Sequence, residues 1–224
     1  MKEKGEKLQG IRIDSGDLAY FAKESRKMMD EAGLDDVKIA ASNQLDENVI
    51  KSLLEQGAPI DLFGVGTNLV TGRPDAALDG VYKLAYGNGK PRIKLSETIS
   101  KVTLPGKKQV YRLMDVNGNW IGADGVSLAN ETDFNHIYHP FEPGKSMEVD
   151  KHKKEPLLEK VMEKGKRIAG KQKLEEIASY SQERLKQLPQ EFTRFENPHE
   201  YKVGISEGLR NIRDDLIHEW NESK

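Results

Sequence analysis

Between Gly10 and Thr67 the chain repeats one pattern three times: a short apolar run that stops abruptly in residues fit to grip a phosphate or a sugar. The stops are Arg12-Ile13-Asp14-Ser15-Gly16-Asp17, Ser42-Asn43-Gln44 and Gly64-Val65-Gly66-Thr67. If the runs are parallel strands, their carboxyl ends lie on one face, and α/β folds bind ligands there. This rhythm constrains the fold more tightly than any property of the whole chain.

The intervening residues support parallel strands. After Asp17, Leu18, Phe21, Ala22, Ser25, Met28 and Ala32 recur at three- and four-residue spacing, the period of a half-buried helix, and Gly33 supplies its stop. A second strand over Val37 to Ala41 leads to a helix capped by Asp46, with Val49, Ile50, Leu53 and Leu54 inward and Gly57 as its end. The third strand is read at Ile60 to Phe63. Strands alternating with helices predict right-handed βαβ units. Three units cannot close a (β/α) barrel, which takes about eight strands and about 250 residues.

After Pro74 the pattern changes. Residues 80–86, 91–95 and 109–113 are β-rich and are separated by Gly87-Asn88-Gly89-Lys90 and Pro105-Gly106-Lys107, which are turn sequences; an antiparallel meander is expected. Residues 130–156 read as loop. Two amphipathic helices are expected to close the chain, one with the stripe Leu174, Ile177, Ala178, Leu185 and Leu188, the other with Ile205, Leu209, Ile212, Leu216 and Trp220. The predicted class is α/β: part of a (β/α) barrel over 1–80, a β-meander with loops over 81–150, and a helical segment over 151–224.

Composition excludes several function classes. A formal net charge of −2 with 32% charged residues gives no global field for nucleic acid or an anionic membrane. Neither is an expected partner. The absence of cysteine removes disulfides, thiolate metal sites and a cysteine nucleophile, and suits a reducing, cytoplasmic compartment. Met1 to Lys7 lacks the apolar core of a signal peptide, and no window approaches the ~18 apolar residues of a membrane span.

Each strand end admits two readings. Gly64-Val65-Gly66-Thr67 leaves room for close backbone approach, amide N–H groups for phosphate oxygens and a hydroxyl at Thr67; the plainer alternative is a tight turn that needs small residues. Asp14 can accept hydrogen bonds from a ribose diol or help hold magnesium, and Arg12 offers a planar cation. The plainer reading makes Asp14 to Asp17 a helix cap. Period-2 alternation places Arg12 and Asp14 on one side if the strand extends that far, which a cap does not require. Ser42 and Asn43 fit a cap or a sugar contact equally well.

Other clusters are weaker. His136 and His139 lie in a segment without helical period, so a zinc site is not expected. Lys151-His152-Lys153-Lys154 is flanked by Glu148, Asp150 and Glu155 and reads as solvated surface. Trp120, Trp220, Met28 and Met29 read as core or interface.

The ordered motifs 10–18 (GIRIDSGDL), Ala41-Ser42-Asn43, 63–71 (FGVGTNLVT), 80–84 (GVYKL), 91–97, 103–112 and Glu196-Asn197-Pro198-His199 together resemble nicotinate phosphoribosyltransferase. That resemblance implies a type II phosphoribosyltransferase barrel, often dimeric, joining nicotinate to phosphoribosyl pyrophosphate for NAD salvage, with magnesium and with ATP hydrolysis coupled through a phosphorylated histidine. By the same resemblance Gly64, Gly66 and Thr67 match the 5′-phosphate loop, Asp14 the ribose-diol contact, Arg12 a strand arginine facing the nucleotide, and Ser42 with Asn43 a sugar-proximal pair. Lys83, Arg92, Lys94 and Arg112 are secondary phosphate candidates, against a solvated sheet face.

Family members are roughly twice this length, and none of His136, His139, His152, His199 or His218 falls in the phosphohistidine motif. The chain therefore matches the C-terminal half, with no catalytic side chain and no metal ligand set of its own. It is expected to lack turnover alone and to form a homodimer or pair with the N-terminal half. The alternative is a non-catalytic phosphoribosyl-binding or interaction remnant that pairs with a full-length or split partner.

Overall fold

The computed structural model describes residue 5 and residues 7–77, 80–98 and 101–223. The chain divides into two compact units, Met1–Val81 and Tyr82–Lys224. Most of the N-terminal Met1 to Lys7 segment lies outside the described residues.

The first unit runs β1 (Gly10–Ile13), α1 (Leu18–Glu31), β2 (Lys38–Ser42), α2 (Glu47–Glu55), β3 (Leu62–Gly64) and α3 (Thr67–Thr71). Its sheet is parallel in the order β1-β2-β3, with Ile13 beside Ala41 and Ser42 beside Gly64. Alternation along the strands sends Ile11, Ile13, Ile39 and Ala41 into one apolar core with Ala19, Ala22, Met29 and Leu53 of the helices. Arg12 takes the other parity and stays exposed, and Leu62 is also exposed.

Caps place the helix starts. The Asp17 carboxylate accepts from Tyr20 N at 3.0 Å, and Asp46 accepts from Val49 N at 2.8 Å, as Ser/Asp-type caps do. Gly33, at φ +68°, follows α1 in the left-handed conformation that glycine adopts without a Cβ penalty. The third strand begins two residues later than its sequence suggests. Ile60 is held in a tight turn by its N–H bond to Ala58 O at 2.8 Å, and Asp61 accepts from Ile39 N at 2.8 Å and Lys38 Nζ at 2.9 Å.

The second unit contains β4 (Tyr86–Gly87), β5 (Lys90–Pro91), β6 (Lys108–Met114), β7 (Trp120–Leu128), β8 (His136–Tyr138), β9 (Ser146–Glu148), β10 (Lys153–Pro156), β11 (Met162–Glu163), β12 (Lys166–Arg167), α4 (Leu174–Lys186), β13 (Lys202–Ile205) and α5 (Glu207–Glu222). Its main sheet has six strands in the order β10-β6-β7-β13-β8-β9. The expected meander is corrected in three respects. Residues 80–85 and 92–95 are not strand, and only β4 and β5 form a hairpin, turned by Asn88 and Gly89 at positive φ. The 130–156 loop contains β8, β9 and β10. The C-terminal segment supplies β13, which inserts between β7 and β8 and pairs in parallel with β7.

Helix α5 buries Leu209 and caps itself through Ser206, whose hydroxyl accepts from Leu209 N and bonds the Glu131 carboxylate. Helix α4 forms where its period predicts, but none of its residues is buried; Leu174 is 75% exposed.

Candidate functional site

Three strand ends of the first unit meet at one edge of the parallel sheet. Arg12 leaves the end of β1, and its Nη1 donates to Ser42 Oγ at the end of β2, at 2.9 Å. Its Nη2 pairs with Asp14 Oδ2 at 3.0 Å. Ser42 is in turn the register partner of Gly64, the last residue of β3. A Cβ on Gly64 would lie 3.4 Å from the Ser42 Cβ, so the two strand ends are in van der Waals proximity.

The loops complete the cluster. Asn43 and Gln44 turn the chain through positive φ, at +93° and +42°, which asparagine tolerates because its short amide can bond locally. Gly66 precedes α3, and a Cβ there would meet nothing within 4 Å, so its backbone opens to solvent. The first N–H groups of a helix have no intrahelical acceptor. Asn68 Nδ2 donates to Leu45 O at 2.9 Å and ties the glycine loop to the segment that follows β2. Asn68 is the positioning residue that motif reading passed over; its place directly after Gly-Val-Gly-Thr was the available signal.

The structure thus brings Arg12, Asp14, Ser42 and Gly64 into one contiguous edge and places Asn43, Gly66 and Thr67 on the loops leaving it. Arg12 is 64% and Asp14 49% exposed, and Asn43, Gly64, Gly66 and Thr67 are exposed as well. The Asp14–Asp17 stretch serves both readings: Asp17 caps α1, while Asp14 faces Arg12. The cap of α2 is Asp46, which leaves Ser42 free to bond Arg12. Chemically the edge offers a guanidinium, a carboxylate, hydroxyls and open backbone amides, a set suited to a phosphorylated, hydroxyl-bearing ligand.

Among the secondary candidates, Arg112 is committed elsewhere. It forks onto Asp124 at 3.0 and 3.2 Å, lies 4.0 Å from the Trp120 ring, and shares Asp124 with the Tyr201 hydroxyl, which donates at 2.7 Å. Burial, reinforced by the Asp124 carboxylate, pushes the Tyr201 phenol above its ordinary range. Lys83, Arg92 and Lys94 are exposed in the second unit.

Lys154, read as solvated, is 12% exposed, pairs with Asp133 and lies over the Phe134 ring. His139 caps a turn: its Nδ1 accepts from Phe141 N and Glu142 N. Among the described residues no group of three or more His, Asp or Glu could hold a metal, and no helix is long and apolar enough to cross a membrane.

Comparison with known proteins agrees with both units. Residues 107–213 match the family described as nicotinate phosphoribosyltransferase C-terminal domain. The nicotinate phosphoribosyltransferase of Bacillus subtilis is 39% identical over 228 residues, covering 97% of this chain and 46% of its own length. The human protein of that name is 33% identical, with 96% of this chain and 42% of its own covered. The crystal structure of human nicotinic acid phosphoribosyltransferase superimposes with a TM-score of 0.69 at 28% identity, over 94% of this chain and 40% of that one. A nicotinate-nucleotide pyrophosphorylase from Pyrococcus furiosus gives 0.57 at 30% identity, over 80% of this chain and 40% of its own. The chain spans under half the length of the curated relatives it matches, and it belongs to the nicotinate phosphoribosyltransferase family.

Proposed function

We propose that the edge formed by Arg12, Asp14, Ser42, Asn43, Gly64, Gly66 and Thr67 is the phosphoribosyl-binding part of a nicotinate phosphoribosyltransferase site. The observation that carries this reading is the chain of contacts from Arg12 to Ser42 to Gly64, which joins three strand ends that are separate in sequence. In the reaction the ring nitrogen of nicotinate bonds to C1 of the ribose as the C1–O bond to pyrophosphate breaks, and the pyrophosphate carries away the bonding electrons. Positive charge grows at C1 as that bond lengthens. The work of this edge is holding: backbone at Gly64 and Gly66 and the Thr67 hydroxyl take the 5′-phosphate, Asp14 accepts from the ribose hydroxyls, and Arg12, steadied by Ser42, faces the anionic ligand.

Magnesium fits this arrangement as a companion of the pyrophosphate. The ion takes one or two carboxylates and fills its shell with phosphate oxygens and water, and Asp14 supplies a half-exposed carboxylate. Bound there, it would neutralise the leaving group. ATP coupling has no candidate residue in the first unit, since all five histidines fall within 136–218. We assign it to the part of the relatives that this chain does not span.

The three-stranded sheet reads as part of a type II barrel. Parallel sheets are ordinarily covered on both faces, whereas here Arg12 and Leu62 stand exposed on the face opposite the helices. The same exposure supports inactivity of the chain by itself, because the edge excludes no water from a reacting carbon. Pairing with the remaining half of the enzyme, or with a second copy, would supply that cover.

Calorimetric titration of the chain with phosphoribosyl pyrophosphate and magnesium tests the binding reading. Saturable binding is expected, lost in Gly66→Glu, whose Cβ would meet nothing within 4 Å and whose carboxylate would stand against the phosphate; thermal unfolding beside the titration checks that the variant is folded. Unaltered binding in that variant refutes the assignment. Formation of nicotinate mononucleotide by the purified chain refutes the inactivity.

A further inference from the structure

The loops that leave β2 and β3 are joined by one hydrogen bond, from Asn68 Nδ2 to Leu45 O at 2.9 Å. What stands at each end of that bond gives it a role in ligand binding.

At the donor end is α3, which buries no residue: Leu69 is 72% and Val70 86% exposed. Of its residues only Asn68 is partly covered. So short a helix is not stable by itself and needs contacts with the rest of the fold. Apolar packing does not supply them here. Among the described residues, the bond to Leu45 is the only side-chain hydrogen bond that leaves α3. Asn68 also closes the helix, because its carbonyl accepts from Arg73 N at 3.3 Å.

At the acceptor end is the turn after β2. Asn43 and Gln44, at φ +93° and +42°, are two successive non-glycine residues in the left-handed region. Backbone of this kind persists only where its surroundings over-determine it. Ser42 is fixed before the turn by its place beside Gly64, and Leu45 after it by burial, at 1% exposure. The Asn68 amide takes the Leu45 carbonyl, so α3 shares the anchor that holds the turn.

We infer that Asn68 is a positioning residue that joins the Ser42–Gln44 turn and the Gly64–Thr67 loop into one receptor, so that a ligand seated on either loop meets the other already in place. The inference rests on the phosphoribosyl reading, which sets the turn beside the sugar and the loop on the phosphate. A ligand that had to order the two loops separately would lose that entropy from its affinity. With the tie present, the spacing of phosphate and sugar contacts is set by the protein before the ligand arrives. The Asn68 amide bonds Leu45, so its effect on the ligand passes through the two loops.

Calorimetric titration of the full chain with phosphoribosyl pyrophosphate and magnesium, beside thermal unfolding, tests this. Asn68→Leu keeps the branching at Cγ and suits a helix, but removes the donor. Because α3 buries nothing, the unfolding midpoint should move by no more than a few degrees, while affinity falls at least about tenfold. Asn68→His carries a ring N–H at Nδ1, as many bonds from Cα as the amide nitrogen, and should recover most of the loss. Asn43→Ala should weaken binding in the wild-type background but by less than about twofold in Asn68→Leu, where the turn is no longer held for the ligand. A residue that merely supported the phosphate loop would give losses that add. Affinity within about threefold of wild type in a folded Asn68→Leu chain, additive losses with Asn43→Ala, or no recovery in Asn68→His would each overturn the inference and leave the phosphoribosyl reading standing. Absence of binding by the wild type itself would bring down both.

Discussion

Replacing Arg12 by alanine separates binding from folding at the strand-end edge. The side chain is 64% exposed and its partner Asp14 49% exposed, so their ion pair contributes at most about 1 kcal/mol to stability. The bond to Ser42 is also exposed, and the apolar core beneath contains neither residue. The thermal midpoint should therefore move by no more than a few degrees. A hydrogen bond from a guanidinium to an anionic ligand is worth about 1.5–3 kcal/mol, so affinity for phosphoribosyl pyrophosphate should fall about 10- to 150-fold. Lysine at this position keeps the charge but cannot bond Ser42 and an oxyanion together in one plane, and should recover only part of the loss. Calorimetric titration beside thermal unfolding reads both quantities in one preparation. Affinity within twofold of wild type, or a loss that merely follows unfolding, refutes the role assigned to Arg12.

Three further outcomes are expected. Asp124→Ala strands the Arg112 guanidinium and the Tyr201 hydroxyl in a site where the two ion-pair side chains are only 19% and 12% exposed, and should cost about 3 kcal/mol, a drop of 1–2 M in urea midpoint at an m-value of about 2 kcal/mol/M; a loss under about 1 kcal/mol would show the cluster to be incidental. Gly122→Ala should cost about 2–4 kcal/mol, because Gly122 sits at φ +71° and its Cβ would fall 1.8 Å from the Phe192 ring; Phe192→Ala in the same chain should relieve the clash but not the backbone strain, and equal stability of Gly122→Ala and wild type would contradict this. Asp61 is held below its ordinary carboxylate range, first by the Ile39 N–H and then by Lys38. Its folded pKa lies below its unfolded one, so its contribution is present above about pH 4 and lost as pH falls through the depressed value; the stability gap between wild type and Asp61→Asn should close on acidification, and a gap independent of pH would remove the proposed clamp.

The first unit was legible because its local signals agree. Apolar alternation, the caps at Asp17 and Asp46, and the stops at Gly33 and Gly57 all specify strand and helix within a few residues of one another, and contacts between neighbouring elements suffice to assemble them. The second unit was not. Strand β13 has only four residues and pairs with β7, almost eighty positions earlier, and nothing local announces a parallel partner at that distance. The 130–156 segment looked like loop because its strands are three or four residues long and carry His, Lys and Glu beside Ile137 and Val149. Helix α4 follows its amphipathic period, yet none of its residues is buried; periodicity reports that a face is apolar, not what covers it.

The strand-end edge also shows why residues so exposed can be placed so definitely. Ile11 and Ile13 alternate with Arg12, and Ile39 and Ala41 alternate with Ala40 and Ser42. Sliding β1 by one residue against β2 would lift both isoleucines out of the core and turn Arg12 into it, so burial on one face fixes the register on the other. The Asp61 clamp fixes β3 against β2 in the same way, at the ends of the strands away from the site. Ser42 and Gly64 then arrive side by side with no interaction of their own required. The site's precision thus belongs to a core in which none of its residues is buried, and a core change that shifts register, such as Ile39→Asp, would dismantle the Arg12–Ser42 contact without touching either residue.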